Sequence, residues 1–169
     1  MNFTYLYQPP KKYTFEQPKL KRYVESWCKG HTCNLFAGFT KLRGINEFRV
    51  DMDPTTNPDY CGDALDFLKS TDMKFDTIIL DPPYNTRKSR EKYNGRWVGD
   101  YKRIKDAVPS VMKDNSIAIS LGYDTVGLSR SRGFEKIAIC VICHLGDHND
   151  TLLVVERKAN KNILEAVMQ

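Results

Sequence analysis

The sequence predicts an α/β fold, with a mostly parallel seven-stranded sheet and an antiparallel C-terminal hairpin. Two observations carry this. Short apolar runs ending in polar or Gly residues alternate with stretches of helical period, the pattern of strands wound through helices. The last two apolar runs are separated by residues 144–150 alone, too few for a parallel crossover, so they pair as an antiparallel hairpin at one edge of the sheet. A length of 169 residues with 41% hydrophobic and 28% charged content suits one folded domain and excludes a disordered chain. No repeat, low-complexity tract or interdomain linker divides it.

Residues 1–17 read as an irregular N-terminal arm ahead of a single domain at 18–169. Pro9-Pro10 forbids helix there, and Phe3, Tyr5, Tyr7, Tyr13 and Phe15 are too many aromatics for a solvated tail, so the arm packs. From Pro18 the apolar stripe Leu20, Tyr23, Val24, Trp27 has helical spacing, with Pro18 suited to the first turn and Gly30 to the end. Strands follow at 32–37, 47–51, 60–61, 77–80, 116–121, 136–143 and 151–156. Residues 64–70 read as helix, as do 101–113, interrupted at Pro109. Between Gly38 and Glu47 a first crossover helix has almost no room, since such a connection needs about 10–12 residues including its helix.

Composition bounds the function. The longest purely apolar run, 137–143, falls far short of the roughly 18 residues of a membrane span. The N-terminus pairs no charged start with an apolar core, so the expected setting is cytoplasmic and free of membrane. Five scattered cysteines, Cys28, Cys33, Cys61, Cys140 and Cys143, are an odd number and read as reduced thiols. Cys140, Cys143, His144 and His148 do not make a metal site, because strand residues three apart face opposite sides. The formal charge of +5 is unevenly spread: residues 85–99 set Arg87, Lys88, Arg90, Lys92 and Arg96 against Glu91, with Tyr93 and Trp97 interleaved. That run suits phosphate binding and makes nucleic acid the expected partner.

Ligands of such sheets bind beyond the carboxyl ends of the strands. The first predicted strand leads into Asn34-Leu35-Phe36-Ala37-Gly38-Phe39-Thr40, where Gly38 lets a ligand approach the backbone. The second ends in Asp51-Met52-Asp53-Pro54, a carboxylate placed to accept hydrogen bonds from ribose hydroxyls. The third ends in Gly62-Asp63-Ala64, the fourth in Asp81-Pro82-Pro83-Tyr84. Asp51 and Asp53 also suit a turn, and Asp63 suits a helix N-cap.

This order resembles the S-adenosylmethionine-dependent amino-methyltransferases of nucleic acids, which carry a D-P-P-Y motif, over roughly residues 19–157. The resemblance implies a Rossmann-like class I methyltransferase fold and S-adenosylmethionine as cofactor. It implies that Asn34, Phe36, Ala37 and Gly38 line the methionine part, that Asp51 holds the ribose, and that Asp63 contacts the adenine amine. Lys19, in Pro18-Lys19-Leu20, looks similar to a motif packed beside the methionine end. Asp81, Pro82, Pro83 and Tyr84 are the implied catalytic residues.

The chemistry of that motif can be stated from its groups. An exocyclic base amine is a poor nucleophile because its lone pair is delocalised into the ring. The Asp81 carboxylate and the Pro82 carbonyl can accept its two hydrogens, aiming the lone pair at a methyl donor, while the prolines preorganise the loop. Tyr84 can stack on a base that is flipped out or single-stranded. The expected activity is methyl transfer to N6 of adenine in DNA. The alternatives are an RNA methyltransferase, for instance of guanine N2 in ribosomal RNA, and a non-catalytic nucleic-acid-binding module. The chain departs from the family in carrying Asn34 where many members have an acid, Thr40 where they have a second glycine, and a shortened first crossover. The oligomeric state is not legible.

Overall fold

One eight-stranded sheet organises the computed structural model, which describes residues 1–82, 101–146 and 148–160. Its elements in chain order are β1 (Asn2–Tyr7), α1 (Pro18–Trp27), β2 (His31–Leu35), β3 (Asn46–Asp51), β4 (Tyr60–Cys61), α2 (Ala64–Ser70), β5 (Phe75–Leu80), α3 (Tyr101–Ala107), β6 (Met112–Gly122), β7 (Phe134–Cys143) and β8 (Thr151–Lys158). The spatial order is β1-β7-β8-β6-β5-β2-β3-β4. Every pairing is parallel except the two made by β8, which runs antiparallel between β6 and β7. The sheet is therefore mostly parallel with an antiparallel C-terminal pair, as expected.

The structure corrects the sequence reading at four places. The sheet has eight strands, because residues 2–7 of the expected irregular arm form β1 and pair with β7. The alternation Phe3, Tyr5, Tyr7 is a strand period, but its partner lies far along the chain. The C-terminal hairpin is consequently not an edge: β1 lies outside β7, and β8 is interior. The helix expected over 101–113 ends at Ala107, where Pro109 lacks the amide to continue it. A 3-10 turn (Val108–Val111) follows, and Met112 already belongs to β6. The strand expected over 32–37 stops at Leu35 because Phe36 turns to φ 68°.

Two cores sandwich the sheet. On one face α2, α3 and the Val108–Val111 turn set Phe67, Leu68, Ile104, Val108 and Val111 against Cys33, Leu35, Ile78, Leu80 and Ala118. On the other, α1 and the turn at Thr14–Glu16 set Phe15, Leu20 and Val24 against Ile79, Ile119, Leu153 and Val155. Leu20 and Val24 are fully buried, and each such side chain contributes about 1.5–3 kcal/mol on leaving water. Among the described residues three crossovers lack an α-helix, the short β3–β4 connection carrying only a 3-10 turn at Pro54–Thr56. The β2–β3 connection substitutes Leu42, buried in the second core, and the β6–β7 connection substitutes Leu128, buried in the first.

Candidate cofactor and catalytic site

The carboxyl ends of β5, β2, β3 and β4 lie side by side in that order. From β2 the chain winds outward through β3 to β4, then returns to β5 on the opposite side of β2. The winding direction thus reverses between β2 and β5, which leaves a crevice at their carboxyl ends. Leu35 is in register with both Val50 and Leu80. Residues 36–38, Asp51 and Asp81 therefore leave the sheet at one level.

The loop after β2 is shaped by its own hydrogen bonds. The Phe36 and Ala37 amides both donate to the Val50 carbonyl at 3.0 Å, which requires Phe36 in the left-handed region, a strained conformation for an aromatic residue. Gly38 follows with φ 59°, and a Cβ built there meets nothing within 4 Å. The Gly38 amide donates to Asp51 Oδ2 at 2.8 Å, and Asp51 Oδ1 accepts from the Asp53 amide at 2.9 Å. A carboxylate has about four acceptor sites, so half-buried Asp51 keeps capacity for donors such as ribose hydroxyls. Asp53 is instead a capping acid: its Oδ1 accepts from the Thr55 amide at 2.9 Å.

Other expected ligand residues do more local work. Asp63 caps α2, its Oδ1 accepting from Leu65 and Asp66 amides at 2.8 and 3.1 Å. Asn34 is fully buried, and its Nδ2 donates to Glu47 Oε1 at 2.7 Å while Glu47 Oε2 accepts from the Leu42 amide at 3.1 Å. Asn34 thereby helps hold the helix-less crossover. Lys19 is exposed in the first turn of α1, where its amide donates to Gln8 Oε1 at 3.0 Å. The arm reaches the β2 loop through Tyr13, whose ring meets Phe39 at 5.2 Å.

Arg49 was not singled out from the sequence, and it organises the site from below. This buried guanidinium donates through Nη1 to the carbonyls of Thr56 and Asn57 at 2.9 and 3.1 Å, and through Nη2 to the Gly38 carbonyl. It ties the Gly38 loop to the loop after β3. A charged residue between Phe48 and Val50 inside a strand was the available signal, since an arginine there must be paired when buried.

Asp81 continues β5, half-buried, and Pro82 is buried behind it. Tyr101, at the start of α3, lies close to this end of the sheet. Burial pushes its phenol upward, and the carboxylates of Asp81, Asp124 and Glu156 push it further, so at neutral pH it keeps its proton and can donate it to an acceptor. Pro83, Tyr84, Arg87, Lys88, Arg90, Lys92 and Arg96 lie outside the described residues. Burial disfavours the thiolate at two cysteines, pushing Cys28 up to about 12 and Cys140 up to about 11. His144 is buried between the Gln8 carbonyl and Thr151 Oγ1, both at 2.9 Å.

No protein-family model and no curated protein matches the sequence. Solved structures do match. A precorrin-6y C5,15-methyltransferase from Geobacter metallireducens GS-15 superposes with a TM-score of 0.63 at 12% identity, covering 89% of this chain and 92% of that one. The fold is that of the class I methyltransferases. N-methyltransferase NodS from Bradyrhizobium japonicum WM9 matches with a TM-score of 0.55 at 10% identity, covering 81% and 90%. TrmN from Thermus thermophilus matches with a TM-score of 0.55 at 12% identity, covering 84% of this chain and 49% of that one. The chain thus spans about half the length of TrmN, and 48% of a matching Streptococcus mutans chain. Among the described residues no helix is long and apolar enough to cross a membrane.

Proposed function

We propose that this chain is an S-adenosylmethionine-dependent methyltransferase acting on the exocyclic amine of a nucleobase, with N6 of adenine in DNA as the leading acceptor. The observation that carries it is the crevice at the winding reversal, with Gly38 and Asp51 on one side and Asp81 on the other. The residues fit the cofactor: Gly38 offers backbone without a side chain, Asp51 retains acceptor capacity for ribose hydroxyls, and NodS of the same fold is also known with S-adenosylhomocysteine at a TM-score of 0.50. Phe36 and Ala37 shape the methionine side of that crevice, buried Asn34 supports it from behind through Glu47, Lys19 flanks it, and Asp63 faces the adenine end.

Bound S-adenosylmethionine supplies a sulfonium-activated methyl group. The chain's own part is to present the acceptor. Asp81 and the Pro82 carbonyl take the two amine hydrogens and orient the lone pair, Pro83 stiffens the turn, and Tyr84 stacks on the base. The basic run from Arg87 to Arg96 holds the nucleic-acid backbone. Nothing in this scheme calls for a metal.

The test is transfer of labelled methyl to duplex DNA, single-stranded DNA and total RNA in parallel, followed by nucleoside identification. Label on N6 of adenine in DNA supports the proposal, whereas label on guanine in RNA replaces its substrate. Cofactor binding without label on any nucleic acid overturns the acceptor class, and no cofactor binding by calorimetry favours a binding module. Asp81→Ala should lower transfer by roughly 100-fold or more, the scale of losing one preorganised hydrogen-bonding group, with cofactor affinity unchanged.

A further inference from the structure

The edge strand β1 has a composition that edge strands of isolated domains rarely keep. Asn-Phe-Thr-Tyr-Leu-Tyr carries no charge and no proline across six residues, although charges, prolines and bulges are the usual protection of a free edge. It pairs with β7 on one side, and no described residue pairs with it on the other. Side chains alternate between faces of a strand, so Phe3, Tyr5 and Tyr7 share one face. They are 68%, 46% and 55% exposed, and the Tyr5 and Tyr7 rings meet edge-to-face at 5.1 Å.

Among the described residues the sheet behind this row is also incompletely covered. In register with the three aromatics stand Ile139, Val141 and Cys143 of β7, each half-buried. The β6–β7 crossover passes as a loop with one 3-10 turn, Arg130–Arg132, and brings no α-helix over them. The strand itself is held firmly. Its register continues through the Gln8 amide on the Cys143 carbonyl at 3.0 Å, and His144 holds the Gln8 carbonyl at 2.9 Å. A neutral aromatic row on a fixed edge is a surface ready to be covered.

We infer that the occupant is β1 of a second copy, paired antiparallel about a two-fold axis through Tyr5. An isologous contact must be its own complement, and this strand meets that condition residue by residue. With Tyr5 opposite Tyr5 of its copy, Phe3 falls opposite Tyr7 and Tyr7 opposite Phe3. The three cross-strand pairs are all aromatic, among the favourable neighbours of antiparallel strands. Charge agrees, since no residue of either strand sets like charge against like, the arrangement that destabilises directly opposed positions. The row of three aromatics becomes a ladder of six on one face of a continuous sheet. A single strand pair is a small contact beside the roughly 800 Å² per partner of a standard interface, so the dimer should be weak and concentration-dependent. It is independent of the proposed activity.

The test is the solution mass of the full chain by light scattering and sedimentation across the micromolar range, with three variants. Wild type should approach twice the 19.5 kDa chain mass as concentration rises. Phe3→Lys with Tyr7→Lys sets like charges against each other at both outer pairs and should hold the chain at monomer mass. Phe3→Lys with Tyr7→Glu sets opposite charges at the same pairs and should restore the dimer. Tyr5→Lys, on the axis, should dissociate it. All three positions are exposed, so the fold should survive, checked by circular dichroism. A wild type monomeric throughout overturns the inference without recourse to any variant. So does a dimer indifferent to the double lysine variant, or failure of the opposite-charge variant to recover.

Discussion

Two of the crossovers without an α-helix, β2–β3 and β6–β7, use the same device to different ends. In the β2–β3 connection, carboxylates on β3 take backbone amides of the loop: Asp51 binds Gly38, and Glu47 binds Leu42. In the β6–β7 connection, Glu156 on β8 takes the Leu128 and Ser129 amides at 2.6 and 2.9 Å. Gly127 is required there: its φ is 58°, and a Cβ would come within 2.3 Å of Glu156 Oε2. The difference is exposure. Glu156 is 1% exposed and sealed beneath its loop, so its oxygens serve structure. Asp51 is half-buried beside a glycine with open space before it, so it can hold the loop and still accept from a ligand. The same hydrogen-bond chemistry is a staple where water is excluded and leaves acceptor capacity to spare where the crevice stays open.

That contrast can be broken by substitution. Glu156→Ala leaves the buried Leu128 amide and the partly buried Ser129 amide unpaired and should cost about 3 kcal/mol, lowering Tm by roughly 6–12 °C; an unchanged calorimetric melt would show the loop does not depend on it. Asp51→Ala should behave oppositely. It should cost about 1 kcal/mol of stability but at least about tenfold in cofactor affinity, as expected for a lost hydrogen bond to a charged acceptor. Equal effects of the two variants on stability, with cofactor titration undisturbed, would place Asp51 among the staples.

Asp63 sharpens the same question with a smaller effect. As the N-cap of α2, Asp63→Ala should cost about 1 kcal/mol, while Asp63→Ser should recover most of that stability. If Asp63 also contacts the cofactor, the serine variant will regain the melt but not the affinity. The smallest effect belongs to Asp76, at the opposite ends of the strands. The Lys113 ammonium at 2.8 Å and the His31 amide at 2.9 Å hold its carboxyl below the usual carboxylate range. A depressed carboxyl stabilises the fold above its unfolded pKa of about 3.9, and loses that contribution as pH falls through the lower folded value. Wild type should therefore exceed Asp76→Asn slightly at neutral pH and converge with it in acid. A gap that persists at the acid end would assign the effect to packing.

Much of the fold was legible because its signals are local. Apolar runs marked β2 to β8, and α2 was read to the residue because Asp63 caps it and its last turn meets Thr71. The β1 strand was not legible, since its aromatics do alternate but its pairing partner β7 lies more than a hundred residues away. Within the candidate site, Gly38, Asp51 and Asp81 stood out as strand-end residues. Asn34 also stood out, yet in the structure it secures Glu47 rather than facing outward as an acid would. Arg49 escaped notice because a buried cation announces itself only through its acceptors, here the carbonyls of three residues outside its own strand.

By itself the sequence determined the alternation of strands and helices, the absence of a first crossover helix, and the chemical order of the strand ends. Those follow from periodicity, proline and glycine placement and chain length, which act over a few residues. Tertiary structure alone decided which carboxylates keep acceptor capacity, which are sealed, and that an N-terminal strand would close one side of the sheet with its aromatics outward. Burial and hydrogen-bond partnership depend on what arrives from distant parts of the chain, and the same Asp or Glu is a ligand contact or a structural clasp according to what covers it.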